Sequence, residues 1–481
     1  MPNIFAQLAV LCWPILSILL YRRFSALTAT FWTIFGAYMF LPLGVSFEFP
    51  IIPNFNKYNV AAYSSLLGCC VIKRLRFRFL PGATGARTLV IIGLIASTLT
   101  VFTNFEPVFT GATVKPGLVP KDTLSMTFQT AFTLLPFILG AMLVKDLSDS
   151  IKVLRLIAIA GLIYSPLMII EVLLSPQLHT WIYGFFPRSF SQQIRFGGYR
   201  PVVFMGHGLL VANFSVVVLI AITGLWKAKQ KILPVPNFIC VVYALFILIV
   251  CKSVGAWLLG FLGLAILTFL PARIAAYTAY TLACIVFFYP LLAINNYVPY
   301  DSLLELAAKF GPDKVGSLAF RFENEEILLA HGQDKFLFGW GASARNRVDD
   351  AVTDGFWIIT FTKFGLLGYL VFLGLPMLAV RNGRETVRQS KSRLEKQIAA
   401  IFSLMIAMIM IDQIPNASQQ NWVYFIYGAA TGFFARRHKS ILNHRAVDES
   451  KLMTSDADPS PPGKRQSRQI EWTESRDKTR I

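Results

Sequence analysis

Apolar runs of about 17 to 23 residues recur along this chain from end to end, each bounded by charge or by Pro and Gly. That length matches the hydrocarbon thickness of a bilayer. Lipid offers no partner to a backbone N–H or C=O, so each run has to satisfy its own hydrogen bonds as a helix. The runs lack the alternation that a membrane barrel strand needs. Composition agrees, with 55% hydrophobic and only 15% charged residues, whereas charged residues make up about a quarter of a soluble domain.

The runs fall near 3–21, 26–45, 58–72, 86–104, 125–144, 152–174, 207–226, 232–250, 254–270, 274–295, 355–377, 397–414 and 422–435, about thirteen in all. The third and last are short, and Pro234 and Pro236 blur the start of the eighth. Twelve spans with one re-entrant segment is the alternative. The expected fold is therefore all-α: a polytopic integral membrane protein of about 12–13 helices, with residues 1–435 as its membrane domain.

Basic clusters follow alternate runs: Arg22 and Arg23; Lys73, Arg74, Arg76 and Arg78; Lys145, Lys152 and Arg155; Lys227, Lys229 and Lys231; Arg273; the 381–396 segment; and Arg436, Arg437 and Lys439. Such a bias marks the cytoplasmic side. The loops 46–57, 105–124, 175–206, 251–253, 296–354 and 415–421 then face outward, and 175–206 and 296–354 are the two large ones. An outside N-terminus, an inside C-terminus and an odd number of spans agree with this reading. The N-terminal run lacks a basic n-region and a small-residue cleavage site, so it reads as a retained span. The formal charge of +19 is then mostly a topology signal. No basic, aromatic-interleaved soluble domain is present to bind nucleic acid. Residues 436–481, polar and Pro-containing, read as a disordered cytoplasmic tail. The six cysteines lie in or at the ends of spans without metal-ligand spacing.

The outer loops carry the chemistry-bearing residues. The first contains Arg188, Arg195 and Arg200, with Gly197-Gly198 between the last two. A guanidinium fork grips phosphate in a bidentate way, and adjacent glycines let backbone amides approach an anion. Lipid-headgroup anchoring is the bland alternative. His207 opens the next run and suits a capping or packing role as well as a catalytic one. Lys252 is the one charge in the turn 251–253, where a snorkelling lysine is common.

In the second loop, 300–314 is amphipathic and suits the membrane surface. Ser317 is placed to cap a helix through His331, with Arg321, Asn324, Glu325 and Leu328 on one face. Arg321 has two readings, a surface pair with Glu325 or a ligand phosphate. Gly339-Trp340-Gly341 follows, then Arg345, Arg347, Asp349, Asp350 and Asp354. Asp354, at the membrane boundary, is either a general base or an ordinary N-cap of the next helix. Glu323, Glu326 and His331 stay open as bases. Asn416-Ala417-Ser418 matches a glycosylation sequon in a short loop.

An Arg321-led helix, FGWG at 338–341, a polar stretch, Asp354 and KFGLLGYLVFLG at 363–374 together resemble the signature region of the O-antigen ligase and O-antigen polymerase superfamily. SVGAW at 253–257 after Lys252 is similar to that family's Ser-Arg-Gly-Ala turn, and RFGGYRPVVFMGHGLL at 195–210 is similar to its Arg-Gly segment before a span. The resemblance covers about residues 150 to 435 and rests on the order of motifs. It implies a GT-C-like, metal-independent, inverting glycosyltransferase of the bacterial cytoplasmic (inner) membrane. Such an enzyme moves glycan from an undecaprenyl-diphosphate carrier to a second lipid-linked glycan (polymerase) or to a lipid acceptor (ligase), and it needs no cofactor. By position, Arg195, Arg200, Lys252 and Arg321 match diphosphate handling, while Asp354, Arg321 and His331 are the catalytic candidates. Lys252 replaces an arginine there, and Gly355 follows Asp354 where Asn or Ser is usual. Polysaccharide assembly proteins are the implied partners. A transporter or flippase, which would show mid-depth charges, broken helices or a repeat, and a non-catalytic export subunit are the alternatives.

Overall fold

The computed structural model describes residues 2–49, 53–110, 113–309, 311–342, 344–348, 351–417 and 420–435. The expected tail, 436–481, lies outside the described residues, as do Asp349, Asp350 and Ser418. The helices are α1 (Ile4–Arg23), α2 (Ala26–Phe40), α3 (Lys57–Leu67), α4 (Thr84–Phe102), α5 (Pro120–Leu143), α6 (Leu147–Leu174), α7 (Leu178–Tyr183) and α8 (Gly208–Lys227). They continue with α9 (Asn237–Val250), α10 (Val254–Phe269), α11 (Ala272–Ile294), α12 (Tyr300–Ala308), α13 (Pro312–Gln333), α14 (Phe356–Phe372), α15 (Gly374–Gln389) and α16 (Arg393–Asp412), and residues 421–435 form α17. Sheet is confined to three two-stranded antiparallel hairpins: β1 (Ser46–Phe47) with β2 (Phe55–Asn56), β3 (Val108–Thr110) with β4 (Thr113–Lys115), and β5 (Ile194–Arg195) with β6 (Gly198–Tyr199). All three lie in loops that the charge pattern assigns to the outer side.

The protein is a mostly helical, multi-pass membrane protein. Among the described residues, eight helices are long and apolar enough to cross a bilayer, counting α14 and α15 as one run, and α2, α9 and α10 are shorter apolar helices. Their surfaces explain the composition. Ile4, Leu8, Leu11, Ile15 and Leu19 on α1, Leu258 and Phe261 on α10, and Phe288 and Leu291 on α11 are exposed, a density that water would not tolerate and lipid does.

The interior is built on α8, buried without a break from Val211 to Leu225, with α16 buried from Ile398 to Met410 and α17 beside them. α8 packs on α6, α9, α10 and α16, while α11, α15 and α16 pack on one another and α4 packs on α5 and α14. Close approach needs small residues: a Cβ on Gly161 of α6 would stand 2.3 Å from Val218, and one on Gly428 of α17 would stand 1.9 Å from the Phe137 carbonyl.

Three expectations need correction. α13 begins at Pro312, so Ser317 is interior rather than a cap, because proline at N1 already presets the helix. The segment after 377 does not leave the helix but continues as α15, whose Arg384 guanidinium lies 3.9 Å from the Tyr280 ring centroid on α11. α14 is broken: Gly365 has φ 64° and ψ −162°. Its freed backbone is met by residues 336–341. Leu366 N–H donates to the Phe336 carbonyl at 2.7 Å, and the Trp340 and Gly341 N–H groups donate to the Thr362 and Lys363 carbonyls at 2.8 and 2.9 Å. Irregular backbone in a membrane domain survives only when protein satisfies it in this way.

Candidate functional site

The loop 175–206 is built around a buried carboxylate. Glu171, fully buried near the end of α6, accepts N–H bonds from Val202 at 2.7 Å, Val203 at 2.6 Å and Leu178 at 3.1 Å. Lys57 donates to the Phe204 carbonyl at 2.8 Å, and Phe204 N–H donates to the Tyr164 hydroxyl at 3.0 Å. Residues 200–206 are thereby held as buried, non-helical chain ahead of α8. The one acidic residue within α6's apolar stretch is thus a loop anchor.

Within that loop, β5 and β6 turn through Phe196 (φ 51°) and Gly197 (φ 66°), the two positive φ angles of a tight hairpin turn. Phe196 stacks on Trp257 of α10 at 5.6 Å, docking the hairpin beside Lys252. Gly198 has a second duty, since a Cβ there would stand 2.2 Å from Lys252 Nζ. The glycine pair therefore shapes a turn and admits an ammonium group.

Arg200 is 5% exposed; its Nη2 donates to the Lys252 carbonyl at 3.3 Å, and its Nε is buried without a partner. Burial first, then the charges of Arg195 and Arg321, lower its pKa to about 10. Arg321, from the loop 296–354, is therefore an electrostatic neighbour of Arg200 from the loop 175–206. His207 caps α8: its Nδ1 accepts from Leu209 N–H at 3.1 Å, which puts the ring proton on Nε2, 3.3 Å from Gln192 Oε1. Burial, followed by the charges of Arg200, Arg188, Arg195 and Arg321, holds its pKa down to about 4. A neutral imidazole at a helix N-terminus, within the field of four guanidinium groups, suits negative charge.

Arg321 does not pair with Glu325. Its Nε lies 3.8 Å from Asp354 Oδ2, and its Nη1 donates to the Pro415 carbonyl at 3.1 Å and Asn416 Oδ1 at 3.5 Å. Asn416 in turn donates through Nδ2 to Asp412 Oδ1 at 3.0 Å, and Asn213 of α8 donates to Asp412 Oδ2 at 2.8 Å. Asp354, 41% exposed at its side chain, is not the cap of α14; Gly355 (φ 90°) precedes the helix, and Phe356 N–H is shared between the Gln413 and Asn416 carbonyls. A Cβ on Gly355 would stand 2.4 Å from the Ile414 carbonyl oxygen, which leaves no space for the expected Asn or Ser.

α13 holds Asp354 from both flanks. Val352 N–H donates to Asn324 Oδ1 at 2.6 Å, and Trp357 Nε1 donates to Glu325 Oε2 at 3.3 Å. Glu325 also accepts from the hydroxyls of Tyr289 at 2.7 Å and Tyr300 at 3.2 Å, and burial raises its pKa.

His331 is placed elsewhere. It lies ten residues beyond Arg321 on α13, about 15 Å along the axis. Its Nε2 donates to the Arg345 carbonyl at 2.9 Å, its ring stacks on Trp340 at 4.5 Å, and Trp340 Nε1 donates back to the His331 carbonyl at 2.6 Å. Arg345, fully buried, is spent on the Pro116 and Trp340 carbonyls and Asn104 Oδ1. These residues brace the FGWG turn rather than the arginine cluster.

The structure thus groups Arg195, Arg200 and Lys252 on one side and Arg321 with Asp354 on the other, with Arg321 close enough to Arg200 to act on its charge, and leaves His331 apart. Asp412, Asn416 and Asn213 are the participants that sequence reasoning missed; their signal was single polar residues inside or beside apolar runs. Among the described residues, no three His, Cys, Asp or Glu side chains converge to hold a metal ion. Comparison with protein-family models, curated proteins and solved structures returned no match.

Proposed function

We propose that the protein is a membrane glycosyltransferase of bacterial surface or exopolysaccharide assembly, drawing glycan from an undecaprenyl-diphosphate-linked donor on the outer side of the cytoplasmic membrane. The observation that carries this reading is the shared electrostatic neighbourhood of Arg195, Arg200 and Arg321, contributed by two separate outer loops, with a buried guanidinium nitrogen of Arg200 left without a partner. Guanidinium groups are the fitting ligands for a diphosphate, and their contribution grows as the leaving group gains charge.

In the proposed reaction the acceptor hydroxyl attacks the donor's anomeric carbon, Asp354 takes the hydroxyl proton, and the carbon–oxygen bond to the diphosphate breaks with its electron pair leaving on undecaprenyl diphosphate. Attack opposite the leaving group inverts the anomeric centre. Arg321 lies beside Asp354 and so links proton acceptor to phosphate grip. A polymerase, with a second lipid-linked glycan as acceptor and assembly proteins at the cytoplasmic tail, is favoured over a ligase.

The break in α14 favours the transporter reading, which expects discontinuous helices lining a pathway. Here the break is filled by the backbone of residues 336–341, so the glycosyltransferase reading is kept. Reconstitution with an undecaprenyl-diphosphate glycan tests both. The enzyme releases free undecaprenyl diphosphate and loses that activity in Arg321→Ala and Asp354→Ala. Unchanged product from both folded variants would remove the assignment. A product ladder marks a polymerase and a single transferred band a ligase.

A further inference from the structure

The inner end of α8 carries a second basic site. α8 spans 20 residues, Gly208 to Lys227, or about 30 Å, the thickness of the hydrocarbon core. Arg200 crosses Gly208 at one end, where a Cβ would stand 2.3 Å from Arg200 Cδ. At the other end lies an open cavity of about 780 Å³, lined among others by Trp226, Lys227, Lys229, Lys231, Asn237 and Thr268.

The cavity is shaped before any ligand arrives. Asn237 ties the loop that holds two of the lysines, donating through Nδ2 to the Gln230 carbonyl at 2.7 Å and accepting from Ile232 N–H at 3.2 Å. Lys229 adopts φ 54°, which turns the chain between them. Lys227 Nζ donates to the Thr268 carbonyl. The Thr268 hydroxyl is buried without a partner, and no side chain caps the first turn of α9, which opens onto the same space at Pro236 and Asn237. Three lysine side chains and an uncapped helix start share one preference, a phosphate oxygen.

Apolar side chains are bare at Val235 of the lining and at Phe238 and Phe269, the residues that follow the lining residues Asn237 and Thr268. Val235 is 44% exposed, Phe238 56% and Phe269 81%. A free phosphate has no use for such a wall, whereas an acyl chain does.

We propose that this cavity is a headgroup site for an anionic phospholipid in the leaflet opposite the arginine cluster. Lysines at the polar face meet the phosphate and Phe238 and Phe269 meet the chains. The site is independent of the catalytic reading.

Native mass spectrometry of the full chain in detergent, titrated with phosphatidylglycerol or with phosphatidylcholine of the same chains, tests it. The wild type retains phosphatidylglycerol preferentially. Lys229→Gln with Lys231→Gln weakens retention about fivefold for each lysine removed and leaves Lys227 to brace Thr268. Lys145→Gln, a basic residue away from the cavity, leaves retention unchanged. Equal retention by wild type and the double variant overturns the proposal. Displacement of the lipid by millimolar inorganic phosphate overturns the lipid as the source of the phosphate.

Discussion

Arg321 on α13 stands between two carboxylates, touching Asp354 at 3.8 Å and reaching Asp412 through Asn416. Its charge is therefore partly balanced before any substrate binds, and its direction is set from the far side by a residue at the end of α16. Arg321→Ala is expected to lower turnover of a lipid-diphosphate donor about 100-fold or more. Arg321→Lys recovers only part, because it restores the charge but not the fork. Release of undecaprenyl diphosphate in proteoliposomes measures both.

Asp412 acts through Arg321 in this arrangement. Asp412→Asn should slow turnover about tenfold or more in the wild-type background and have little further effect when Arg321 is already Ala. A double-mutant cycle on turnover separates this from general damage, which would add in both backgrounds.

His207 gives the fold an acid sensitivity of known sign. Its pKa is depressed from 6.5 to about 4, so its contribution to stability is complete above pH 6.5 and is lost as pH falls toward 4. Thermal unfolding followed from pH 7 to 4.5 should show this loss, and His207→Gln should flatten it.

Glu325 behaves oppositely. Burial raises its pKa, so its favourable contribution is present below the ordinary glutamate value and is lost as pH rises through the folded one. Glu325→Gln should reduce that slope, whereas Glu325→Ala, which strands two hydroxyls and an indole N–H, should cost about 1–3 kcal/mol. Melting of the two variants at pH 4.5 and pH 8 decides the matter.

Gly365 tolerates no side chain. A Cβ there would stand 2.3 Å from the Leu337 carbonyl carbon at a φ of 64°, and Gly365→Ala should destabilise by about 3 kcal/mol or more. A melting temperature close to wild type would contradict the geometry described for the break.

A multi-pass helical chain was legible because bilayer thickness writes itself into apolar run length, but among the described residues eight helices reach that length and three more are shorter, against the twelve or thirteen expected. Arg195, Arg200 and Arg321 stood out in the sequence because the charge pattern leaves few cations in those loops. Asp412 and Asn213 were hidden, since one polar residue hardly changes the character of an apolar run and its partner lies 199 positions away. Asn416 read only as a sequon. The glycine at 365 looked like any small residue in a membrane helix, because its φ depends on a loop that arrives from 336–341. His331 and Arg345 had the right chemistry, yet their hydrogen bonds belong to the FGWG turn.

The seam between that turn and α14 bears on how the chain is made. Residues 336–341 precede α14 in synthesis, so the partners of its broken backbone are made before it. Until they arrive, the backbone at Gly365 has no partner. The broken shape of α14 is then completed by the docking of the loop made just before it, which ties two segments adjacent in the chain into one folding step.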